Sequence, residues 1–152
     1  MTGYSIEIEF NDRGAGKELD MLIDKMARPS GFYKNVGEHI QAVTIDRFNA
    51  EQAPDGTPWK ALAPVTLAAR ARRGTGTTIY RERGDFFGSL NYQASSDGFR
   101  WGSNDVRARI FQLGGKAGRG LSVTLPPRPY LGLSPDDENA ILDIARDWLS
   151  IE

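Results

Sequence analysis

Residues 48–62 read FNAEQAPDGTPWKAL, and the path of the chain through them decides the fold. The preceding YKNVGEHIQAVTIDRFNAE (33–51) places Val36, Ile40, Val43 and Phe48 roughly on one face at helical spacing. Pro54, Asp55 and Gly56 have the composition of a tight turn, because proline pre-sets its own φ and glycine accepts a positive one. The chain therefore reverses after the long helix, and Trp59 is expected to fold back against it near Phe48. Burying an indole contributes about 2–3 kcal/mol, enough to pin the start of the arginine-rich segment that follows. An exposed binding aromatic is the other reading of Trp59.

Upstream of the helix, YSIEIEF (4–10) alternates apolar and polar residues and predicts a strand. KELDMLIDKMA (17–27) repeats Leu19, Leu22, Ile23 and Met26 at helical spacing, and Pro29 and Gly31 end it. Gly37 marks either a weak point in the long helix or a place of close packing. Downstream, PVTLAARARRG (64–74) predicts a short helix closed by Gly74, followed by the polar GTGTT. A mobile loop is expected at about 70–80. Gly84 and Gly88 interrupt the next helix-like run. Leu90, Tyr92 and Ala94 begin a strand, SSDG turns, and FRWGS (99–103) returns with Phe99 and Trp101 on one face. DVRARIFQLGG (105–115) is a short helix, and Gly114 and Gly115 allow a sharp exit from it. KAGRG makes a second loose basic loop at about 114–120, and LSVTL (121–125) a strand. PPRPYLGL carries too much proline for a central strand. Residues 134–152 form the clearest helix, with Ser134 as N-cap, Pro135 at N1 and Asp137 at the capping-box position. Its apolar face is Ile141, Leu142, Ala145, Trp148 and Leu149. The sum is one domain over 1–152 of the α+β class, with helices flanking an antiparallel sheet and long basic loops projecting from it. Trp59, Trp101 and Trp148 are expected as core or interface anchors.

The chain has 152 residues, with 39% hydrophobic and 26% charged, proportions that support one real core. It has no cysteine, so disulfides and thiolate zinc sites are excluded. His39 is the single histidine, and the positions one helical turn away are Asn35 and Val43, so no helical ligand pair forms. No long apolar run predicts a membrane span. MTGYSIEIEF lacks the basic and apolar regions of a signal peptide, so residence in a cytosol is expected. RGTGTT and KAGRG match neither phosphate-cradle pattern. Asp136 and Asp137 suit a helix dipole, Glu7 and Glu9 the polar face of a strand, and Ser89 lacks a nucleophile elbow. With no nucleophile–base pair, no enzyme activity, cofactor, metal or small-molecule substrate is expected.

The net charge of −1 hides segregation: residues 1–69 carry −3, residues 70–133 carry +7, and residues 134–152 carry −5. Arg70, Arg72, Arg73, Arg81 and Arg83 fall within one stretch with Tyr80 among them. Arginine grips phosphates and base faces, and it pairs bidentately with carboxylates at protein interfaces. Nucleic-acid contact, a protein interface in which the basic part of one subunit meets the acidic part of the next, and a solvated face all remain open. Arg119 and Arg128 extend the same basic region.

Three stretches together resemble the phage virion morphogenesis, or tail completion, family of Mu-like and related tailed phages. FNAEQAPDGTPWKAL (48–62) is similar to its helix end and P-D-G-x-x-W-x-x-L segment, here Pro54, Asp55, Gly56 and Trp59. RGDFFGSL (83–90), with Gly84, resembles a G-x-L-x-x-S segment in which phenylalanine takes the leucine place. RARIFQLGG (107–115) and LPPRPYLGLS (125–134) are similar to paired Q-F-G-G and P-x-R-P-F-L-G segments, here Gln112, Gly114, Gly115, Pro127, Arg128 and Pro129. Phe111 stands where the family often has histidine. The resemblance implies a non-enzymatic late protein of a phage or prophage, made in the host cytoplasm and present in the virion. It would act at tail completion or head–tail joining as a ring of identical subunits meeting tail or neck proteins, with DNA a further contact. A small nucleic-acid-binding protein using the arginines of 70–83 is the alternative.

Overall fold

The computed structural model describes residues 14–150, so the strand expected at 4–10 lies outside the described residues. Two helices open this part of the chain, α1 (Ala15–Ala27) and α2 (Ser30–Ala50), with Arg28 and Pro29 between them. Gly31 was expected to lie beyond a helix end, yet it sits in the first turn of α2. A Cβ there would stand 2.4 Å from the Trp148 ring, so the residue is small to admit an indole from the far end of the chain. Gly37 is likewise a point of close packing, since its Cβ would lie 2.4 Å from the Tyr92 ring. The buried side of α2 is Val36, Gly37, Ile40, Thr44, Arg47 and Phe48, whereas Val43 is only half-buried. The face is thus rotated toward Thr44 and Arg47, because Arg47 finds partners inside.

Glu51 caps α2 in the left-handed region (φ 51°), donating its N–H to the carbonyls of Arg47 and Phe48. The reversal then follows. Gly56 donates to Ala53 O at 2.9 Å with φ 82°, and Asp55 Oδ1 accepts the Thr57 N–H at 2.9 Å. Trp59 N returns to Glu51 O at 2.7 Å. The indole meets Phe48 edge-on, with centroids 5.1 Å apart at 89°, as the turn requires.

The remaining elements are α3 (Pro64–Arg73), α4 (Asp85–Gly88), β1 (Leu90–Ala94), β2 (Phe99–Ser103), α5 (Ala108–Leu113), β3 (Gly115–Ala117), β4 (Val123–Leu125) and α6 (Pro135–Leu149). β1 pairs antiparallel with β2 across the SSDG turn, with Tyr92 opposite Trp101. β3 pairs antiparallel with β4, with Lys116 opposite Thr124. The chain is α+β, but the strands among the described residues form two separate two-stranded sheets rather than one. Part of the basic loop expected at 114–120 is β3, followed by a 3-10 turn at Arg119–Leu121. Its glycine-rich composition concealed a hairpin whose turn takes a positive φ at Gly118, Gly120 and Leu121.

Phe48, Trp59, Ile79, Tyr80, Phe86 and Tyr130 make the core, with Phe48 fully buried. Rings dominate it, and Tyr80 stacks on Phe111 at 4.3 Å. α6 begins as its sequence dictates: Ser134 Oγ accepts the Asp137 N–H at 3.1 Å, and Asp137 Oδ2 accepts the Ser134 N–H at 2.6 Å. Its apolar face is narrower than expected. Leu142 and Leu149 point outward, at 54% and 37% exposure, because Asp137, Ile141, Ile144 and Trp148 take the inner side. On α1, Leu19, Ile23 and Met26 are also exposed, at 58%, 55% and 68%.

Candidate functional site

Pro64 at N1 starts α3, and left-handed Gly74 closes it. Left-handed Gly84 (φ 83°) starts α4. Between these helices and the 123–128 segment lies a groove of about 610 Å³. Its cations are Lys60, Arg70, Arg73, Arg83, Arg107 and Arg128, and its acids are Glu82 and Asp85. Tyr80, Phe86 and Phe111 form aromatic wall.

The predicted arginines divide into different roles. Arg70 is buried, donating from Nη1 to Gly76 O at 3.1 Å and Thr78 O at 2.9 Å, with Glu82 Oε2 3.5 Å from its Nε. It closes the 74–80 segment onto α3. Arg73 pairs with Glu82 at 2.7 Å. Arg81 turns away from the groove, donating to Asn49 Oδ1 at 3.0 Å with its guanidinium 3.8 Å from the Phe87 ring centre. Arg83 lies exposed on the groove, and Arg72 lies exposed outside it. Arg119 is exposed in the turn between β3 and β4.

Arg128 is buried at the groove, with Nε donating to Lys60 O at 2.6 Å and Nη2 to Ala61 O at 3.1 Å. Its neighbours Pro127 and Pro129 have no N–H to place, so the segment runs extended and is held from its sides. Arg128 N donates to Phe111 O at 3.1 Å, and Trp59 Nε1 donates to Pro129 O at 2.7 Å. Gln112 completes the clamp: Oε1 accepts the N–H groups of Tyr130 and Leu131, and Nε2 donates to Leu131 O, all at 3.0 Å. Gly114 (φ 70°) must be glycine, since a Cβ would lie 2.7 Å from Pro127 N and 2.8 Å from Leu125 O. Gly115 also has a positive φ, 140°. Pro54 packs at Gly132, where a Cβ would approach it to 3.0 Å.

Tyr80 joins core to groove. It holds φ 62°, a costly conformation for a bulky side chain. Its hydroxyl donates to Phe111 O at 2.8 Å, and burial pushes its pKa up, so it stays a donor. Lys60 and Arg107 are groove residues that sequence reasoning missed. Arg107 carried a signal: it precedes Phe111 by one helical turn, and its guanidinium lies 5.9 Å from that ring's centre. Hydrogen bonds from Arg107 hold the Asp105 pKa down at about 2. His39 Nε2 sits 4.0 Å from Asp137 Oδ1. Among the described residues no cluster of His, Asp or Glu could hold a metal ion, and no helix is long and apolar enough to cross a membrane.

Residues 10–150 match the phage virion morphogenesis family, and the chain belongs to that family. Its role is therefore in phage assembly. It is similar to Mu-like prophage FluMu G protein 2 of Haemophilus influenzae (strain ATCC 51907 / DSM 11121 / KW20 / Rd), at 28% identity over 147 residues, 96% of this chain and 97% of the relative. No solved structure matches the chain.

Proposed function

We propose that this chain is a non-enzymatic assembly protein acting at tail completion or head–tail joining, as a ring of identical subunits that meets tail or neck proteins. The carrying observation is the exposed apolar stripe of α1, where Leu19, Ile23 and Met26 each remain more than half exposed. Such stripes mark docking surfaces. A ring needs heterologous contacts, in which two different surfaces of one subunit meet, and the segregated charge supports that arrangement. Native mass spectrometry at low and high salt tests it. A closed oligomer is expected at low salt; a monomer at every salt concentration overturns the ring.

A nucleic-acid-binding role has one supporting observation: Arg72 and Arg83 are exposed and have no hydrogen-bond or ion-pair partner among the described residues. Against it, Arg70, Arg73 and Arg81 are engaged within the chain. A salt-dependent DNA mobility shift, lost in Arg72→Ala/Arg83→Ala, would favour this role.

A further inference from the structure

We propose that residues 4–10, YSIEIEF, lie along the open edge of β2 as a third strand of the β1–β2 sheet, with their apolar side chains over the cleft beside Trp101. This contact is independent of the ring.

The edge of β2 is open by its own ladder. Ser95 N donates to Gly98 O at 2.8 Å, and the register continues with Gln93 opposite Arg100, Tyr92 opposite Trp101 and Asn91 opposite Gly102. Hydrogen-bonded pairs alternate along an antiparallel ladder. Arg100 and Gly102 therefore bond to β1, while Phe99, Trp101 and Ser103 aim their N–H and C=O groups away from it. No backbone group among the described residues meets them there. The outer edge of β1 is partly closed, because Asn91 Oδ1 accepts the Tyr92 N–H at 2.8 Å. β2 thus carries the row of free groups to which a strand adds.

Beside this edge lies a cleft of about 360 Å³, lined by Trp101, Ala108, Arg109, Leu113, Tyr130 and Leu131. Leu113 is 63% exposed. Trp101 Nε1 is buried and has no acceptor among the described residues; a strand laid on β2 brings carbonyl oxygens to that side. Arg100 points to the opposite face of the sheet, exposed and without a side-chain partner among the described residues. The edge therefore fits a strand that is apolar toward the cleft and acidic toward Arg100.

YSIEIEF has that pattern. Tyr4, Ile6, Ile8 and Phe10 fall on one face, and Ser5, Glu7 and Glu9 on the other. Glutamate beside arginine on a neighbouring strand is a stabilising pair. Only Asn11, Asp12, Arg13 and Gly14 separate Phe10 from the start of α1. So short a tether keeps the segment at a high effective concentration, which favours its own chain over a neighbour's.

Two measurements test the contact. In the native full chain, the amides of Phe99, Trp101 and Ser103 should exchange as slowly as those of Arg100 and Gly102; fast exchange at the first three alone overturns the third strand. In Ile6→Asp/Ile8→Asp the first three should exchange at least about tenfold faster, while slow Arg100 and Gly102 show that the sheet is intact. Unchanged exchange at all five means that something else covers β2 and overturns the assignment. The chain has no cysteine, so Glu7→Cys or Glu9→Cys can be combined with Arg100→Cys without competing thiols. Neighbouring strands bring Cα atoms within the reach of a disulfide, about 7 Å, and at least one of the two pairs should close within a single chain on oxidation. Closure in neither pair, closure between two chains, or closure instead with Gln93→Cys on β1 each overturns the proposal. These pairs change only positions on the polar face, so they decide the matter even if the double aspartate variant unfolds.

Discussion

Arg47 of α2 hydrogen-bonds Asp137, the residue that completes the capping box of α6. One carboxylate therefore both starts a helix and fastens it to another. Arg47 also donates to Gly132 O at 3.2 Å and Ser134 Oγ at 3.3 Å, so the guanidinium is held from three sides. Asp137→Ala leaves this buried cation without its counter-charge and uncaps α6. A loss of about 3–5 kcal/mol is expected, read by urea unfolding. Asp137→Asn keeps a capping acceptor and should lose less.

Acid should weaken the fold through the same residue. Burial pushes the Asp137 carboxyl up, but hydrogen bonds from Ser134 and Arg47 outweigh it and hold the pKa below its ordinary value. The unfolded chain, with aspartate near pKa 3.9, takes up the proton first as pH falls. The contribution is thus complete above the unfolded value and is lost as pH drops through the folded one. Asp105, at about 2, acts in the same direction. The thermal midpoint should be flat from about pH 7 to 5 and should fall between about 4 and 2. Asp137→Asn should flatten part of that fall.

Trp59 can be divided into ring and hydrogen bond. Trp59→Ala removes the contact with Phe48 and leaves Pro129 O without its donor, at a cost of about 3–5 kcal/mol. Trp59→Phe keeps a ring and loses only the donor and some volume, so about 1–3 kcal/mol is expected. Denaturant midpoints distinguish the two.

Two left-handed glycines should respond differently to one methyl group. At Gly84 nothing lies within 4 Å of the added carbon, so Gly84→Ala pays only the conformational cost, about 1–2 kcal/mol. At Gly114 the carbon meets the backbone of Leu125 and Pro127. Gly114→Ala should exceed the first loss by at least about 1–3 kcal/mol, as thermal unfolding of the pair will show.

Local chemistry made much of the fold legible in the sequence. The turn at Pro54–Gly56 and the Ser134–Asp137 cap are decided by neighbouring residues, and both stand where composition puts them. Gly31 misled because the ring that requires it, Trp148, belongs to the last helix. The arginines of 70–83 form one cluster in sequence, but only Arg70, Arg73 and Arg83 share the groove, and Arg72 and Arg81 lie off it. Arg81 is claimed by Asn49 Oδ1, a partner that a linear reading does not bring near, while Arg70 turns inward to Thr78 O within its own stretch. The groove itself was illegible for the same reason. Lys60, Arg83, Arg107 and Arg128 come from separate segments, and only the packing of the aromatic core sets them side by side.

The strap from Arg128 to Ser134 also bears on the order of events during synthesis. Trp59 finds its acceptor at Pro129, Phe48 packs on Tyr130, and Arg47 waits for Asp137. Each of these contacts joins the first half of the chain to its last quarter. While the ribosome is still making the middle, Phe48 has Trp59 but not Tyr130, and the long-range loop must close before the contacts with the strap stabilise the fold. Nascent chains stopped before Pro129 should therefore be cut by protease faster than the full chain. Release of the final helix should bring protection to both ends of the molecule at once.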